Sequence, residues 1–199
     1  MTQWVKHQIR VRYQETDQMG VVYHANYLNW FEIGRTEMIR RAGVTYRSLE
    51  EKDLLLPLVD AELQFKRPAF YDDIVTVYTR VMALAPVSLT FLYEIRRAEG
   101  ANGQQEVPAA SSTSSASPWA PGSAGTPGSD GSPGTPGSPA SSAPSLFLGS
   151  EKADKPEGEL LVLGRTKHAW VNRMWKPVRL DKHMPELYTL LKQHHLEEG

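Results

Sequence analysis

The amino-acid sequence predicts an α+β domain in which about five antiparallel strands form a sheet and one long helix packs on a face of it. Three observations lead to this prediction. Segments that alternate polar and apolar residues occur once before, and four times after, a stretch with apolar residues at helical spacing. Short turns join the later segments, which favours antiparallel pairing. A segment of low complexity interrupts the series before its last strand.

The first strand and the long helix come from the N-terminal part of the chain. Residues 4–13 alternate, and the side chains expected on one face of this strand are Val5, His7, Ile9, Val11 and Tyr13. The helix is predicted over 26–42, with a buried stripe of Tyr27, Phe31, Gly34, Met38 and Ala42. Gly43 follows as a natural terminator. Because Gly34 has no side chain, it should let the helix approach the sheet closely.

The remaining elements follow in sequence. A short helical turn is expected over about 46–52. Further strands are predicted at about 57–67, 74–84, 87–97 and 160–174, and a terminal helix at about 184–194. These segments are rich in residues that favour strands, and most are bounded by Gly, Pro or Asp. The order of elements is therefore strand, long helix, then four strands in succession.

Residues 101–158 differ in composition from the rest of the chain. The run PAASSTSSASPWAPGSAGTPGSDGSPGTPGSPASSAP is almost entirely Ser, Pro, Gly, Ala and Thr. Such a segment buries too little apolar area to offset an ordering cost of about 1–2 kcal/mol per residue, which predicts a disordered linker. Glycine at every third position from 122 to 137 also matches collagen, but the repeat is short and its flanks are unlike it. We expect an insert within one domain spanning 1–199 and favour one without effect on folding or turnover; the alternatives are that it hangs over the entrance of a site or tethers a partner.

The composition excludes several classes of function. The formal net charge of −1 gives no bias toward nucleic acid, and no apolar run is long enough for an integral membrane segment. Cysteine is absent, so disulfides, thiolate nucleophiles and cysteine-ligated metals are excluded. The first residues lack an apolar core of signal-peptide length. No zinc pattern or phosphate-binding glycine loop occurs, and we predict a cytoplasmic protein without a metal site.

The stretch ETDQMGVVYHANYLNWFE, residues 15–32, contains the candidate catalytic residues. Each has a structural explanation when taken alone: Asp17 suits a turn, and the aromatic residues suit a core. Together they suggest catalysis, because a helix N-terminus offers unpaired N–H groups that suit an oxyanion. A carboxylate just upstream can act as nucleophile or general base, and Gly20 permits close approach of a substrate. This chemistry fits attack on an activated carbonyl such as a thioester.

The stretch RYQETDQMGVVYHANYLNWFEIGRTEMIRRAG strongly resembles the opening of hotdog-fold acyl-CoA thioesterases of the 4-hydroxybenzoyl-CoA thioesterase type. It looks closest to the bacterial branch associated with the Tol–Pal system. The resemblance continues through LLLPLVDAELQFKRPAFYDDIVTVYTRV and resumes in GRTKHAWVNRMWKPVRL, which leaves out only residues 101–158. It implies an antiparallel sheet wrapped around one long helix, in homodimers or homotetramers whose active sites lie at dimer interfaces.

The resemblance also implies roles for individual residues. Asp17 matches the catalytic carboxylate of the family, acting as nucleophile or as base toward water. The backbone N–H at or near His24 would polarise the thioester carbonyl, and the side chains of Tyr13 and His24 match positions that line the site in this branch. Gly20 and Tyr23 are expected next to the substrate.

Coenzyme A is part of the expected substrate, so no separate cofactor is predicted. Its phosphates require cations. The candidates are Lys66 and Arg67 in FKRP, and Arg165, Lys167 and His168 in the last predicted strand. For each of them, a solvated charge on a strand face is an equally good explanation.

Three functions remain open at this point. The favoured one is hydrolysis of acyl-CoA to a free carboxylic acid and CoA. A narrower alternative keeps this chemistry with an aromatic substrate such as 1,4-dihydroxy-2-naphthoyl-CoA or 4-hydroxybenzoyl-CoA. An alternative of another class is a non-catalytic module that binds acyl-CoA or serves assembly. The acyl preference depends on the depth of the pocket, which the sequence does not give.

Overall fold

The computed structural model describes residues 4–98, 151–153 and 155–195, which form one antiparallel sheet with helices. The strands are β1 (Trp4–Arg10), β2 (Leu58–Phe65), β3 (Ile74–Ala85), β4 (Ser88–Arg97), β5 (Glu151–Ala153) and β6 (Glu159–Ala169). The helices are α1 (Ala25–Arg41), α2 (Tyr46–Glu51), α3 (Leu180–His183) and α4 (Pro185–His195), and a 3-10 turn covers Tyr13–Glu15. The sheet order is β2-β6-β4-β3-β1-β5. The five predicted strands and the long helix are all present.

The alternation of the sequence sets which face of the sheet is buried. In β4, every second side chain points into the core, and these are Leu89, Phe91, Tyr93, Ile95 and Arg97. The buried residues of α1 are Tyr27, Trp30, Phe31, Gly34, Met38 and Ile39. This stripe covers the inner face, where the ring of Phe31 stacks on that of Tyr93 with 4.2 Å between centroids. Tyr27, Phe31, Gly34 and Met38 are buried as the helical spacing predicts, whereas Ala42 follows the helix and is half-buried.

Two glycines let α1 and the sheet come together. A Cβ atom at Gly34 would lie 2.9 Å from Cγ1 of Val77 and closer still to the Thr79 hydroxyl, both on β3. A Cβ atom at Gly164 on β6 would meet the ring of Phe31. Real Cβ atoms do not approach other atoms so closely, so the contact between helix and sheet depends on both glycines.

The chain ends α1 and starts α2 with well-defined caps. Gly43 has a φ of 79°, and the N–H groups of Gly43 and Val44 donate to the carbonyls of Arg40 and Ile39. This is the left-handed helix termination that glycine favours. At the start of α2, the hydroxyl of Thr45 accepts from the N–H of Ser48 at 3.1 Å. None of the described helices is both long and apolar enough to cross a lipid bilayer.

Two predicted strands are too long. The strand expected over 4–13 ends at Arg10, because the chain turns into the 3-10 segment and leaves the Tyr13 side chain 79% exposed. Tyr13 therefore does not share a buried face with Val5. The strand expected over 160–174 ends at Ala169. Beyond it, the Asn172 side chain accepts the N–H groups of Met174 and Lys176 and closes a tight turn instead.

The predicted linker over 101–158 lies mostly outside the described residues. Within its C-terminal part, Glu151–Ala153 pairs antiparallel with β1 as a short edge strand. Three residues next to a Ser- and Pro-rich run give too short an alternation for a strand prediction. Gly158, with a φ of 92°, then leads into β6.

Candidate active site

The segment between the 3-10 turn and α1 folds into a tight hairpin that presents Asp17. The N–H of Asp17 donates to the carbonyl of Val21 at 2.9 Å, and the N–H of Gly20 donates to the carbonyl of Asp17 at 2.9 Å. Gly20 has a φ of 76°, a conformation that side chains disfavour. The Asp17 carboxylate accepts the N–H of Met19 at 2.8 Å and is half-buried. The turn therefore fixes the carboxylate and leaves lone pairs on both oxygens available.

Asp17 lines a cleft of about 310 Å³ at the start of α1. The cleft is lined by Asp17, Met19, Val21, Val22, His24, Tyr27, Phe65, Lys66, Arg67 and Pro68. One side comes from the hairpin and the first turn of α1, and the other comes from the end of β2 and the residues after it. Four of the predicted site residues, Asp17, His24, Lys66 and Arg67, thus meet in one place.

The first turn of α1 offers free hydrogen-bond donors beside the carboxylate. The N–H of Tyr23 donates to the carbonyl of Glu15, and that of Asn26 donates to the carbonyl of Tyr23, both at 2.9 Å. Among the described residues, no acceptor faces the N–H groups of His24 and Ala25. These amides carry the partial positive charge of a helix N-terminus. They are suited to stabilise negative charge on an oxygen bound in the cleft.

Glu15 is a supporting residue that the sequence analysis missed. Its carboxylate is buried and accepts hydrogen bonds from the Arg12 backbone N–H at 2.7 Å and from the Trp30 indole at 3.1 Å. Although burial raises the pKa of Glu15, the hydrogen bonds from Arg12 and Trp30 outweigh it and hold the pKa below its ordinary value. The Glu15 carbonyl also accepts the Asn26 side chain at 2.8 Å. Glu15 thereby ties the hairpin to the start of α1.

A second support, Arg97, holds the opposite wall of the cleft. Arg97 is buried at the end of β4 and pairs with Asp73 at 2.7 Å and with Glu159 at 2.8 Å. Its guanidinium also donates to the carbonyl of Pro68 at 2.8 Å. The next residue, Ala69, donates its N–H to the Tyr27 hydroxyl at 3.2 Å. The segment after β2 is therefore anchored to both the sheet and α1.

The two cations in the cleft differ in their partners. Arg67 forms an ion pair with Glu159 at 2.8 Å. Lys66 is exposed, and no carboxylate of the described chain lies within ion-pair distance of its ammonium. Lys66 is therefore the cation that is free to meet an incoming anion.

The other predicted site residues lie elsewhere. Tyr13 is exposed against the ring of Tyr71, and Tyr23 is exposed beside the ring of His24 at 4.2 Å, so neither side chain lines the cleft. Arg165 and Lys167 point to the outer face of the sheet and line a separate cavity of about 310 Å³. Arg165 pairs there with Glu62 at 2.6 Å. Within the described chain, no three His, Asp or Glu side chains converge as metal ligands would.

His168 is not available to a phosphate, contrary to the prediction. Because side chains alternate along β6, His168 points into the core while Lys167 points outward, and it is only 1% exposed. Its Nδ1 lies 3.3 Å from the carbonyl of Leu56, and its Nε2 lies 2.9 Å from the hydroxyl of Thr166. Burial, together with the charge of Arg35, lowers the pKa of His168 to about 4. The imidazole is therefore neutral and structural.

We expect the buried His168 to make the protein less stable as the pH falls from 6.5 toward 4. In this range the unfolded chain takes up a proton that the folded chain refuses, so acid favours unfolding. At 1.36 kcal/mol per pKa unit, the loss is about 3 kcal/mol. Urea unfolding at several pH values measures it. His168→Gln should flatten the dependence of the free energy of unfolding on pH. His183→Gln, at an exposed histidine, is the control and should leave it unchanged. Equal slopes in all three proteins would contradict the assignment.

The chain is similar in sequence to known thioesterases. Residues 11–116 match the family described as the thioesterase-like superfamily. The putative acyl-CoA thioesterase YneP of Bacillus subtilis is 42% identical over 95 residues, which cover 48% of this chain and 69% of YneP. The acyl-CoA thioester hydrolase YbgC of Escherichia coli is 33% identical over 91 residues, which cover 46% of this chain and 68% of YbgC. The stretch matched to the family contains the hairpin, α1 and the wall with Lys66.

Solved structures show the same arrangement of elements. The DHNA-CoA thioesterase from Staphylococcus aureus superposes with a TM-score of 0.64 at 23% identity, covering 96% of this chain and 89% of that chain. The hypothetical protein TT1821 from Thermus thermophilus superposes with a TM-score of 0.62 at 25% identity, covering 96% and 99%. Both structures thus share the fold of the described part of this chain.

Proposed function

The chain belongs to the thioesterase-like superfamily and is a thioester hydrolase, and from that premise we propose that it hydrolyses acyl-CoA to a free carboxylic acid and CoA. Its hotdog fold, predicted from the sequence, is confirmed by the single antiparallel sheet around α1 and by the solved structures that superpose on it. The finer assignment, to the 4-hydroxybenzoyl-CoA thioesterase type and the Tol–Pal-associated branch, stays a prediction. So does the cytoplasmic location.

One observation carries the proposal: the Asp17 carboxylate and His24, at the start of α1, line the same cleft, and no described acceptor faces the N–H groups of His24 and Ala25. A thioester carbonyl that accepts hydrogen bonds from the N–H groups of His24 and Ala25 would expose its carbon toward Asp17. As the carbonyl is attacked, its oxygen gains negative charge, and the amides stabilise that charge without rearranging. Removal of a single such donor typically costs about a hundredfold or more in rate.

The Asp17 carboxylate can act in two ways. As a nucleophile, its oxygen attacks the thioester carbon, the C–S bond breaks, CoA leaves as the thiolate, and water then hydrolyses the mixed anhydride. As a general base, it takes a proton from water while the water oxygen attacks the same carbon and the thiolate leaves. Its hydrogen bond from the Met19 N–H at 2.8 Å orients the carboxylate in either case.

The experiment that tests this function is a thiol-release assay over short, long and aromatic acyl-CoAs. We expect turnover above the uncatalysed rate with at least one of them. A protein that binds acyl-CoA but releases no thiol would instead support the alternative of a non-catalytic binding or assembly module. The aromatic alternative is favoured by the rings of Tyr27 and Phe65, which line the cleft and meet edge to face at 5.5 Å. A higher kcat/KM for aromatic substrates would support it.

Lys66 is the cation that we propose for the phosphates of CoA. Lys66→Gln should raise KM about fivefold to tenfold and leave kcat nearly unchanged, because a phosphate contact is the same in the ground state and the transition state. Lys167→Gln is the matched control on the outer face of the sheet, and we expect it to leave KM unchanged. If Lys167→Gln raises KM and Lys66→Gln does not, the CoA site lies instead at the cavity beside Arg165.

We propose further that the chain forms a homodimer or homotetramer through β2. This strand is one of the two edges of the described sheet, and Leu58, Val59 and Phe65 are each about half exposed on it. An open edge with exposed apolar side chains is a template for pairing with another strand, and a second copy offers the same edge in antiparallel orientation. Because Lys66 directly follows β2, such pairing would bring the partner next to the cleft.

Sedimentation should show a dimer or tetramer that Val59→Lys dissociates; a monomeric wild type would contradict the proposal.

A further inference from the structure

A second cavity, of about 410 Å³, lies beside the middle of α1 and shares no lining residue with the Asp17 cleft. It is lined by Glu32, Arg35, Thr36, Tyr46, Glu50, Leu54, Leu55, Leu56, Pro57 and Trp175. Arg35 follows His24 by eleven residues in the same helix, which places it about 16 Å along the axis. The two cavities of one chain are therefore separate sites.

The positive charge of Arg35, which lines this cavity, is only weakly neutralised by the described carboxylates. The side chain of Arg35 is only 15% exposed, yet its nearest carboxylate in the described chain is Glu32 at 3.9 Å, and that side chain is 67% exposed. On the core side, the nearby His168 is neutral, because burial lowers its pKa to about 4. Removing a guanidinium from water is costly unless a close anion or several acceptors meet it. The open side of the Arg35 guanidinium can therefore take an acceptor that none of the described residues supplies.

Tyr46 provides a second donor at the same point. Arg35 donates to the Tyr46 hydroxyl and also lies over its ring, with 5.0 Å from the guanidinium carbon to the ring centroid. The hydroxyl already accepts from Arg35, and its own proton has no acceptor among the residues described. Burial raises the pKa of Tyr46, so the proton is retained at neutral pH. A guanidinium and a phenol that converge in this way match the two oxygens of a carboxylate.

The walls above these donors are apolar. Leu54, Leu56 and Pro57 form one side, and Trp175 stands at the mouth with 70% of its surface exposed. Trp175 has a φ of 59°, an unfavourable conformation for a bulky residue that the surrounding turn must impose. The turn is held by the N–H of Trp175 donating to the Asn172 carbonyl at 2.8 Å. An exposed aromatic side chain beside an apolar wall and a few polar groups is a feature of binding sites.

We propose that this cavity binds a small monocarboxylate with an apolar or aromatic body, whose carboxylate meets Arg35 and Tyr46 and whose body packs under Trp175. The class of ligand follows from the charges. Glu32 and Glu50 at the rim repel polyanions, so the phosphates of CoA do not fit there. A single carboxylate that reaches Arg35 meets a group of opposite charge, and its two oxygens can accept hydrogen bonds from the Arg35 guanidinium and the Tyr46 hydroxyl. The free acid released from a thioester belongs to this class, so the cavity is a candidate site for product.

Calorimetric titration of the full chain with benzoate, and with benzamide as its neutral counterpart, tests the proposal. We expect benzoate to bind with a dissociation constant on the order of 1 mM, and benzamide at least tenfold more weakly. Arg35→Gln should weaken benzoate at least tenfold, whereas Arg47→Gln, at an exposed arginine of α2, should not. Trp175→Ala should also weaken benzoate, in contrast to Met174→Ala on the same turn.

The Asp17 cleft could also take a carboxylate, and Lys66→Gln distinguishes the two sites. Benzoate binding that survives in Lys66→Gln and is lost in Arg35→Gln locates the ligand at the second cavity. Binding that is lost in Lys66→Gln and unchanged in Trp175→Ala overturns the proposal, and so does equal affinity for benzoate and benzamide. Since Trp175 lies on an exposed turn, its substitution leaves the core intact and keeps the test valid if Arg35→Gln unfolds.

Discussion

Asp17→Asn is expected to lower kcat at least about a hundredfold while the protein stays folded. The amide keeps the shape of the side chain, and its oxygen can still accept the Met19 N–H that Asp17 accepts at 2.8 Å. It cannot take a proton from water and is a poor nucleophile, so both routes to hydrolysis are blocked. The measurement is thiol release at saturating acyl-CoA, with circular dichroism to verify the fold. Because binding of CoA relies on other residues, KM should change little.

The matched control is Asp72→Asn. Asp72 is an exposed carboxylate with a φ of 67°, a conformation that asparagine tolerates well, and it pairs with Arg10 at 2.8 Å. We expect its kcat to remain within about twofold of wild type, as for most exposed substitutions. Near-normal turnover in Asp17→Asn would refute the proposed mechanism, since Asp17 supplies the only carboxylate among the described residues that line the cleft.

A single turnover in ¹⁸O-labelled water separates the two routes that the geometry allows. If Asp17 is the nucleophile and water attacks the Asp17 carbon of the mixed anhydride, one of its own oxygens passes to the product acid and the label enters the carboxylate of the enzyme, an outcome that only the nucleophilic route allows. If Asp17 is a base, the label enters the product directly. Mass spectrometry of the peptide that contains Asp17 reads this difference.

Local patterns predicted the parts of the fold that depend on neighbours in sequence. The helical spacing located α1 within one residue at each end, and the strand predicted over 87–97 is β4, Ser88–Arg97. A tight turn ahead of α1 can also be inferred from the sequence, because Asp17 and Gly20 are residue types that tight turns favour. Asp17 and the amides at the helix start are adjacent in sequence, so this half of the cleft is set by local geometry.

The features that could not be predicted from the sequence depend on contacts between residues far apart in the chain. Burial of Arg97 depends on Asp73, which lies on another segment of the chain, and periodicity alone treats a charged residue as exposed. The edge strand β5 exists because β1 offers it a free edge. For His168, the alternation of β6 could have given the inward orientation, since it is one residue away from the outward Lys167.

Gly34→Val is expected to lower the free energy of unfolding by about 2–3 kcal/mol, through contact between α1 and the sheet. Valine favours a helix slightly more than glycine does, by a few tenths of a kcal/mol, so intrinsic propensity alone predicts stabilisation. Packing outweighs it, because the first added carbon already meets Val77 and Thr79. Both neighbours are β-branched and stiff, and β3 is held between β1 and β4, so neither can move aside. Urea unfolding measures the loss, and Asn29→Val on the exposed side of α1 should stay within about 1 kcal/mol of wild type. Equal midpoints for Gly34→Val and Asn29→Val would mean that α1 does not approach the sheet at Gly34.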